Sequence, residues 1–165
     1  MSTAYYLSVT VHVLAAVVWL GGMLFFALVG APVLRRVDDA ALRAELFDRL
    51  GRAFRVVGWI CIGLLVATGA FNLHARGWWG GAVWGSPAFW RSRAGVLLGA
   101  KLAAVGIMVV LAAVHDFWLG PRAGRAAPGS AEALRLRRTS AWVARLNALM
   151  GVVLVYVAAR LARGG

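Results

Sequence analysis

Acidic residues are scarce in this chain: six among 165, against 17 arginines and one lysine, for a net charge of +12. There is one cysteine, Cys61, so no disulfide framework can form within the chain. No Cys-x-x-Cys pair, glycine-rich phosphate loop, nucleophile with a neighbouring base, or pair of close carboxylates in an apolar setting is present, which argues against hydrolytic chemistry. A soluble chain this basic would suggest nucleic acid. Here, however, the arginines cluster at the ends of apolar runs, the pattern that orients membrane helices and meets anionic head groups, so nucleic acid is set aside as a partner.

What the sequence has in plenty is hydrophobic residues, 62% of the whole. A bilayer-spanning helix needs roughly 20 mostly apolar residues. Four such runs are present, which predicts an all-α integral membrane four-helix bundle in a single domain over residues 1–165, with helices over about 5–34, 54–73, 94–118 and 141–161. The first run has no basic residue ahead of it and ends in Gly30-Ala31-Pro32 and Arg35-Arg36, so it reads as a retained helix and not a signal peptide. Between helices one and two, Leu42, Leu46 and Leu50 recur every four residues among charges. That spacing predicts a short amphipathic interfacial helix over Asp38 to Arg52.

The stretch from Trp78 to Trp90 holds four tryptophans with three glycines and Pro87, and indole rings settle at the head-group boundary, so it reads as a lid at the interface. Helix three is expected to stop at Gly120-Pro121, with a further turn at Ala127 to Gly129. The sequence Gly30-Ala31-Pro32 with Arg35 echoes Gly120-Pro121-Arg122, as if one two-helix hairpin were repeated. Gly95, Gly99 and Ala103 form a small-residue stripe suited to close approach of a neighbouring backbone. The connections between helices one and two and between three and four, with the helix starts that follow, carry twelve arginines against five on the opposite side. This places the connections in the cytoplasm and both termini outside, in a multi-pass protein of the plasma (inner) membrane whose direct partner is the lipid bilayer.

Ionisable groups inside a bilayer are costly and therefore candidates for function. His12 lies about 10 Å down helix one, and Lys101 lies at a similar depth on helix three. His74 closes helix two at the rim of the same end, and His115 lies near the far end of helix three beside Asp116. Lys101, Met108 and His115 share one helix face, as do His12, Trp19 and Phe26, and the two faces are expected to meet. Cys61, Thr68 and Asn72 on helix two and Asn147 on helix four extend a polar vein through the interior. Imidazoles facing a bundle interior can hold haem or a metal, with His12, His74 and His115 as the candidate nitrogen ligands. A softer set, Met23, Cys61, Met108 and Met150, suits Cu(I). The alternatives are a hydrogen-bonded core histidine, a snorkelling lysine and methionines that fill gaps.

His12 followed by Val18-Trp19-Leu20-Gly21-Gly22 and Ala31-Pro32, with Lys101-Leu102 and His115 later, resembles the CopD copper-resistance superfamily over essentially the whole chain. The order is also similar to HemJ-type protoporphyrinogen oxidases, matched at His12, Trp19, Lys101, Leu102 and Asn147, while Ala148 stands where that motif has a glutamate. The resemblance implies that His12, with Lys101, touches a haem, porphyrin or metal. The expectation is haem b for electron transfer, in a pocket formed by His12, Lys101, His74, Trp19 and Asn147. Copper uptake or delivery, with a copper-handling or redox partner in the membrane, is the first alternative. A ligand-free structural subunit of a respiratory complex is the second.

Overall fold

The computed structural model describes residues 2–127 and 130–163, so Pro128 and Gly129 of the expected Ala127 to Gly129 turn lie outside the described residues. Four long helices account for most of the chain: α1 (Thr3–Leu34), α2 (Ala40–Ala75), α5 (Arg93–Arg125) and α6 (Ala131–Ala162). Two short ones, α3 (Gly81–Trp84) and α4 (Pro87–Arg91), fold the tryptophan-rich loop. No strand occurs among the described residues. Each long helix starts where a short polar side chain takes up free amides. Ser2 accepts from the Tyr5 amide, Asp39 from Ala41 and Leu42, Ser92 from Gly95, and Ser130 from Ala133.

All four long helices are long and apolar enough to span a membrane. Side chains such as Leu7, Val56, Ile107 and Val153 are exposed on the bundle surface, where only acyl chains would solvate them well. The chain is therefore an integral membrane four-helix bundle, as expected. Helix α1 packs on α2, α5 on α6, and α6 closes the bundle against α1. One end bears the termini and the tryptophan loop; the other bears the two arginine-rich connections. They are called here the tryptophan end and the arginine end.

Three boundaries differ from expectation. The amphipathic segment after Asp38 is helical, but it is not a separate element: it forms the first turns of α2 without a break. Nothing in Gly51 to Phe54 stops a helix, and the ion pairs Glu45–Arg49 (2.5 Å) and Asp48–Arg52, each four residues apart, tie these turns together. Helix α6 likewise begins ten residues before the expected position 141, in the same kind of charged, capped flank. Helix α5 does not stop at Gly120-Pro121 but continues to Arg125.

A shared device explains the last difference. In α1 the Ala31 amide donates to the Phe26 carbonyl five residues back, and in α5 the Gly120 amide donates to the His115 carbonyl in the same way. Each of these wide π turns sits immediately before a proline, Pro32 or Pro121. Proline lacks an N–H and crowds the carbonyl four residues back; the wider turn moves that carbonyl aside and lets the helix go on. The Gly-Pro echo in the sequence is thus an echo in the backbone as well.

Candidate functional site

At the tryptophan end, α1 and α2 meet through small and polar residues. The Thr68 hydroxyl donates to the Leu64 carbonyl (2.5 Å), as helical threonines do, so its oxygen is left to accept from His12 Nδ1 at 2.8 Å. This assigns the proton of a neutral His12 to Nδ1 and leaves the Nε2 lone pair free. The ring packs on Gly69, where a Cβ would lie 3.4 Å from His12 Cε1, an ordinary contact. Ser8 adds a longer bond to the Thr68 carbonyl, 3.4 Å.

Lys101 enters from α5. It lies on the stripe that also holds Leu98 and Met108, 2% and 1% exposed, so it is on the interior side of its helix. Lys101 and, just past the end of α2, Arg76 are both partly buried. Arg76 is held in turn, its Nε donating to the buried Tyr5 hydroxyl at 3.0 Å and its guanidinium lying 5.5 Å from the Trp78 ring centre. Nothing in the sequence signalled that Tyr5 and Arg76 would pair, because they are 71 positions apart.

Deeper in the bundle, Trp19, Cys61 and Met108 belong to one buried cluster, and Met23 and Met150 pack against it. The small residues opposite them explain the fit. Trp19 lies on Gly58, and the Met108 methyl and Leu20 fill the space beside Gly151. Asn147, 4% exposed, reaches the same cluster and donates from Nδ2 to the Met23 sulfur at 3.6 Å. Its Oδ1 has no partner among the described residues. The four sulfur residues thus lie in or against one hydrophobic core, with Asn147 bonded to Met23. The faces expected to meet do so at Trp19 and Met108, whereas His12 bonds to α2 and Phe26 packs on Phe47 of α2.

The three histidines do not share a site. His74 is exposed in the last turn of α2. His115 lies in the π turn of α5 at the other end, where its Nδ1 bonds Asp116 at 2.9 Å while the second Asp116 oxygen accepts from Trp59 Nε1 at 3.0 Å. Among the described residues no three His, Cys, Asp or Glu side chains gather closely enough to hold a metal. Two shallow hollows lie elsewhere, one along Arg135, Arg138 and Trp142, the other between Phe25, Phe54 and Val57. The expected small-residue stripe has a different use. Gly95 and Gly99 receive the chain's own loop, because a Cβ on Gly95 would fall 2.0 Å from the Phe89 carbonyl oxygen and one on Gly99 would touch the Trp90 ring.

A family model described as CopD, copper resistance protein D, matches residues 48–161, more than half of the chain. The chain belongs to the CopD family. In this CopD protein the matched stretch contains Cys61, Lys101, Met108, His115, Asn147 and Met150, and it begins after His12, Trp19 and Met23. An uncharacterised protein of Aquifex aeolicus (strain VF5) is 29% identical over 154 residues, covering 93% of this chain and 92% of its own length. No solved structure matches.

Proposed function

We propose that this CopD protein carries Cu(I) through its bundle core, with Met23, Cys61, Met108 and Met150 as sulfur donors and Asn147 beside them. The observation that carries this reading is the orphaned oxygen of buried Asn147, whose amide nitrogen bonds the Met23 sulfur. A buried carbonyl without a partner costs about 1–3 kcal/mol. A monovalent cation held by the neighbouring sulfurs would give that dipole something to face. Thioether and thiolate groups are the side chains Cu(I) prefers. Cys61 supplies charge balance, because binding at its sulfur releases the thiol proton and leaves a neutral thiolate–Cu(I) unit in an apolar surround. The family name supports the same cargo.

The test is to load the purified chain with Cu(I) under reducing conditions and measure retained copper by elemental analysis and competition with a chromogenic Cu(I) chelator. About one ion per chain is expected from a single cluster of soft ligands, with retention at least tenfold weaker in the Met23→Leu, Met108→Leu, Met150→Leu triple variant. No retained copper, or equal retention by the variant, rejects the reading. Copper uptake into proteoliposomes then separates transport from storage.

Haem b bound at His12 for electron transfer is the second reading. It is favoured by the Thr68 bond, which fixes the imidazole and frees Nε2 for iron. An absorption spectrum of the same sample separates the two: a Soret band abolished by His12→Ala supports haem. A colourless, copper-free protein found only in a stable assembly supports a structural subunit.

A further inference from the structure

Helices α2 and α6 both leave the arginine end through a capped, charged flank, but the charges of the two flanks are met differently. In α2, Glu45 and Asp48 pair with Arg49 and Arg52 one turn on. In α6 the flank carries Arg135, Arg137 and Arg138 with Glu132 as its one acid, and none of the ion pairs among the described residues involves them. Arg135, Arg138 and Trp142 recur at spacings of three and four, on one face of the helix, and with Leu134 and Thr139 they line a shallow hollow of about 480 Å³. Among the described residues no other helix lines it, and Leu134 and Trp142 are 52% and 68% exposed, so the folded chain leaves this face uncovered. Arg145 reaches back toward the same place, its guanidinium lying 5.4 Å from the Trp142 ring centre, as side chains that lean toward the start of a helix do. The level is set by length. From Trp142 to the end of α6 at Ala162 the rise is about 30 Å, the thickness of the hydrocarbon core, which puts the indole at the core's edge. Arg138 then stands about 6 Å further out, at the height of the lipid phosphates, with Arg135 about one turn beyond it.

We propose that this face of α6 is a binding site for one phospholipid of net negative charge, its phosphate held between Arg135 and Arg138 and the start of its acyl chains lying along Trp142. Guanidinium groups offer forked N–H edges that match phosphate oxygens and are charged at every physiological pH. Thr139 turns its hydroxyl back onto the Arg135 carbonyl at 3.1 Å, so the arginines do the recognising. The face joins unpaired positive charge above to exposed indole below, and an anionic lipid has the same two parts in the same order. A second copy of the chain does not fit, because two such faces would bring their arginines together with no acid between them. A free anion would leave the indole without a use. The proposal does not rest on the copper reading, and its test contains no copper.

The full chain is purified in an uncharged detergent, and the lipid it retains is counted by native mass spectrometry. Separate titrations use phosphatidylglycerol and phosphatidylcholine, whose phosphate is neutralised by its own choline. A single phosphatidylglycerol should be held at concentrations that leave phosphatidylcholine unbound. Arg135→Gln with Arg138→Gln should weaken that retention by about tenfold or more, and Trp142→Ala should weaken it as well. Arg49→Gln with Arg52→Gln removes the same charge from the same end of the bundle and should leave retention unchanged. Equal retention of the two lipids, or equal losses in the two double variants, would mean diffuse attraction by the whole end and overturns the proposal. Displacement of the lipid by inorganic phosphate at matched ionic strength overturns it too, by making a free anion the ligand, as does a chain that dimerises through this face and holds no lipid. Should the α6 double variant fail to fold, Arg138→Gln alone decides on the same readout.

Discussion

A histidine inside an apolar run is visible in a sequence because its solvation cost marks it, but what it bonds to depends on which faces of two helices meet. His12 was legible as a candidate, and Thr68 was legible as a polar residue of helix two; their pairing was not, since a 3.6-residue period gives faces and not partners. The pairing makes a prediction. Thr68→Val keeps the volume and leaves the His12 Nδ1–H without an acceptor, so stability should fall by about 1 kcal/mol, while Thr68→Ser should restore it; equal denaturation midpoints for all three proteins would remove the assigned bond. Asn147 shows the same limit from the other side. The sequence could offer it as a polar residue, but that its oxygen is orphaned beside Met23 is a property of the packed bundle. Asn147→Leu should stabilise the copper-free bundle by about 1 kcal/mol by removing an unpaired buried dipole and should weaken copper retention at least tenfold. Paired thermal and copper measurements check both, and a variant that is less stable yet binds copper normally contradicts the role given to the orphan.

The four spans are readable from apolar length, and five of their eight ends to within two residues; the other three are not, because neither a charged flank nor a Gly-Pro pair need end a helix. In α2 and α6 the charged flanks remain helical, capped by Asp39 and Ser130 and in α2 tied by ion pairs as well, and in α5 the proline is passed by a π turn. A proline ends a helix only where the backbone cannot widen to clear it. The tryptophan loop was correctly placed at an end of the bundle, yet its seat on α5 depends on Gly95, whose spacing from Gly99 suggested a helix–helix contact instead. The indole of Trp84 donates to the Trp78 carbonyl at 2.6 Å and that of Trp90 to the Trp84 carbonyl at 2.8 Å, so the loop is bonded within itself and stands on α5 as a unit. Gly95→Ala would drive a methyl group into the Phe89 backbone and should cost about 2 kcal/mol or more, with a red shift of tryptophan emission as Trp90 leaves Gly99. Gly99→Ala meets the Trp90 ring at an ordinary 3.7 Å and should be tolerated. If the two variants unfold alike, the close approach at Gly95 is not what seats the loop.

Across the whole molecule the charge is divided in a way that tests how the bundle is oriented. The arginine end has twelve arginines and six acids, which leaves six positive charges; the tryptophan end has five arginines and Lys101 with no acid, which also leaves six. Net charge therefore gives no direction. The rule that governs insertion counts lysine and arginine near the helix ends and is little affected by acids, and that count predicts that the arginine end faces the cytoplasm. The two ends also differ in what their cations do: among the described residues two arginines at the arginine end are paired, Arg49 with Glu45 and Arg52 with Asp48, whereas at the tryptophan end no cation has a carboxylate partner. With Cys61 replaced by serine, single cysteines at the exposed positions Ser2 and Ala127 report the two ends. A membrane-impermeant maleimide applied to intact cells should label Ser2→Cys and spare Ala127→Cys until the membrane is opened. The reverse pattern would place the sulfur residues of the core nearer the outside.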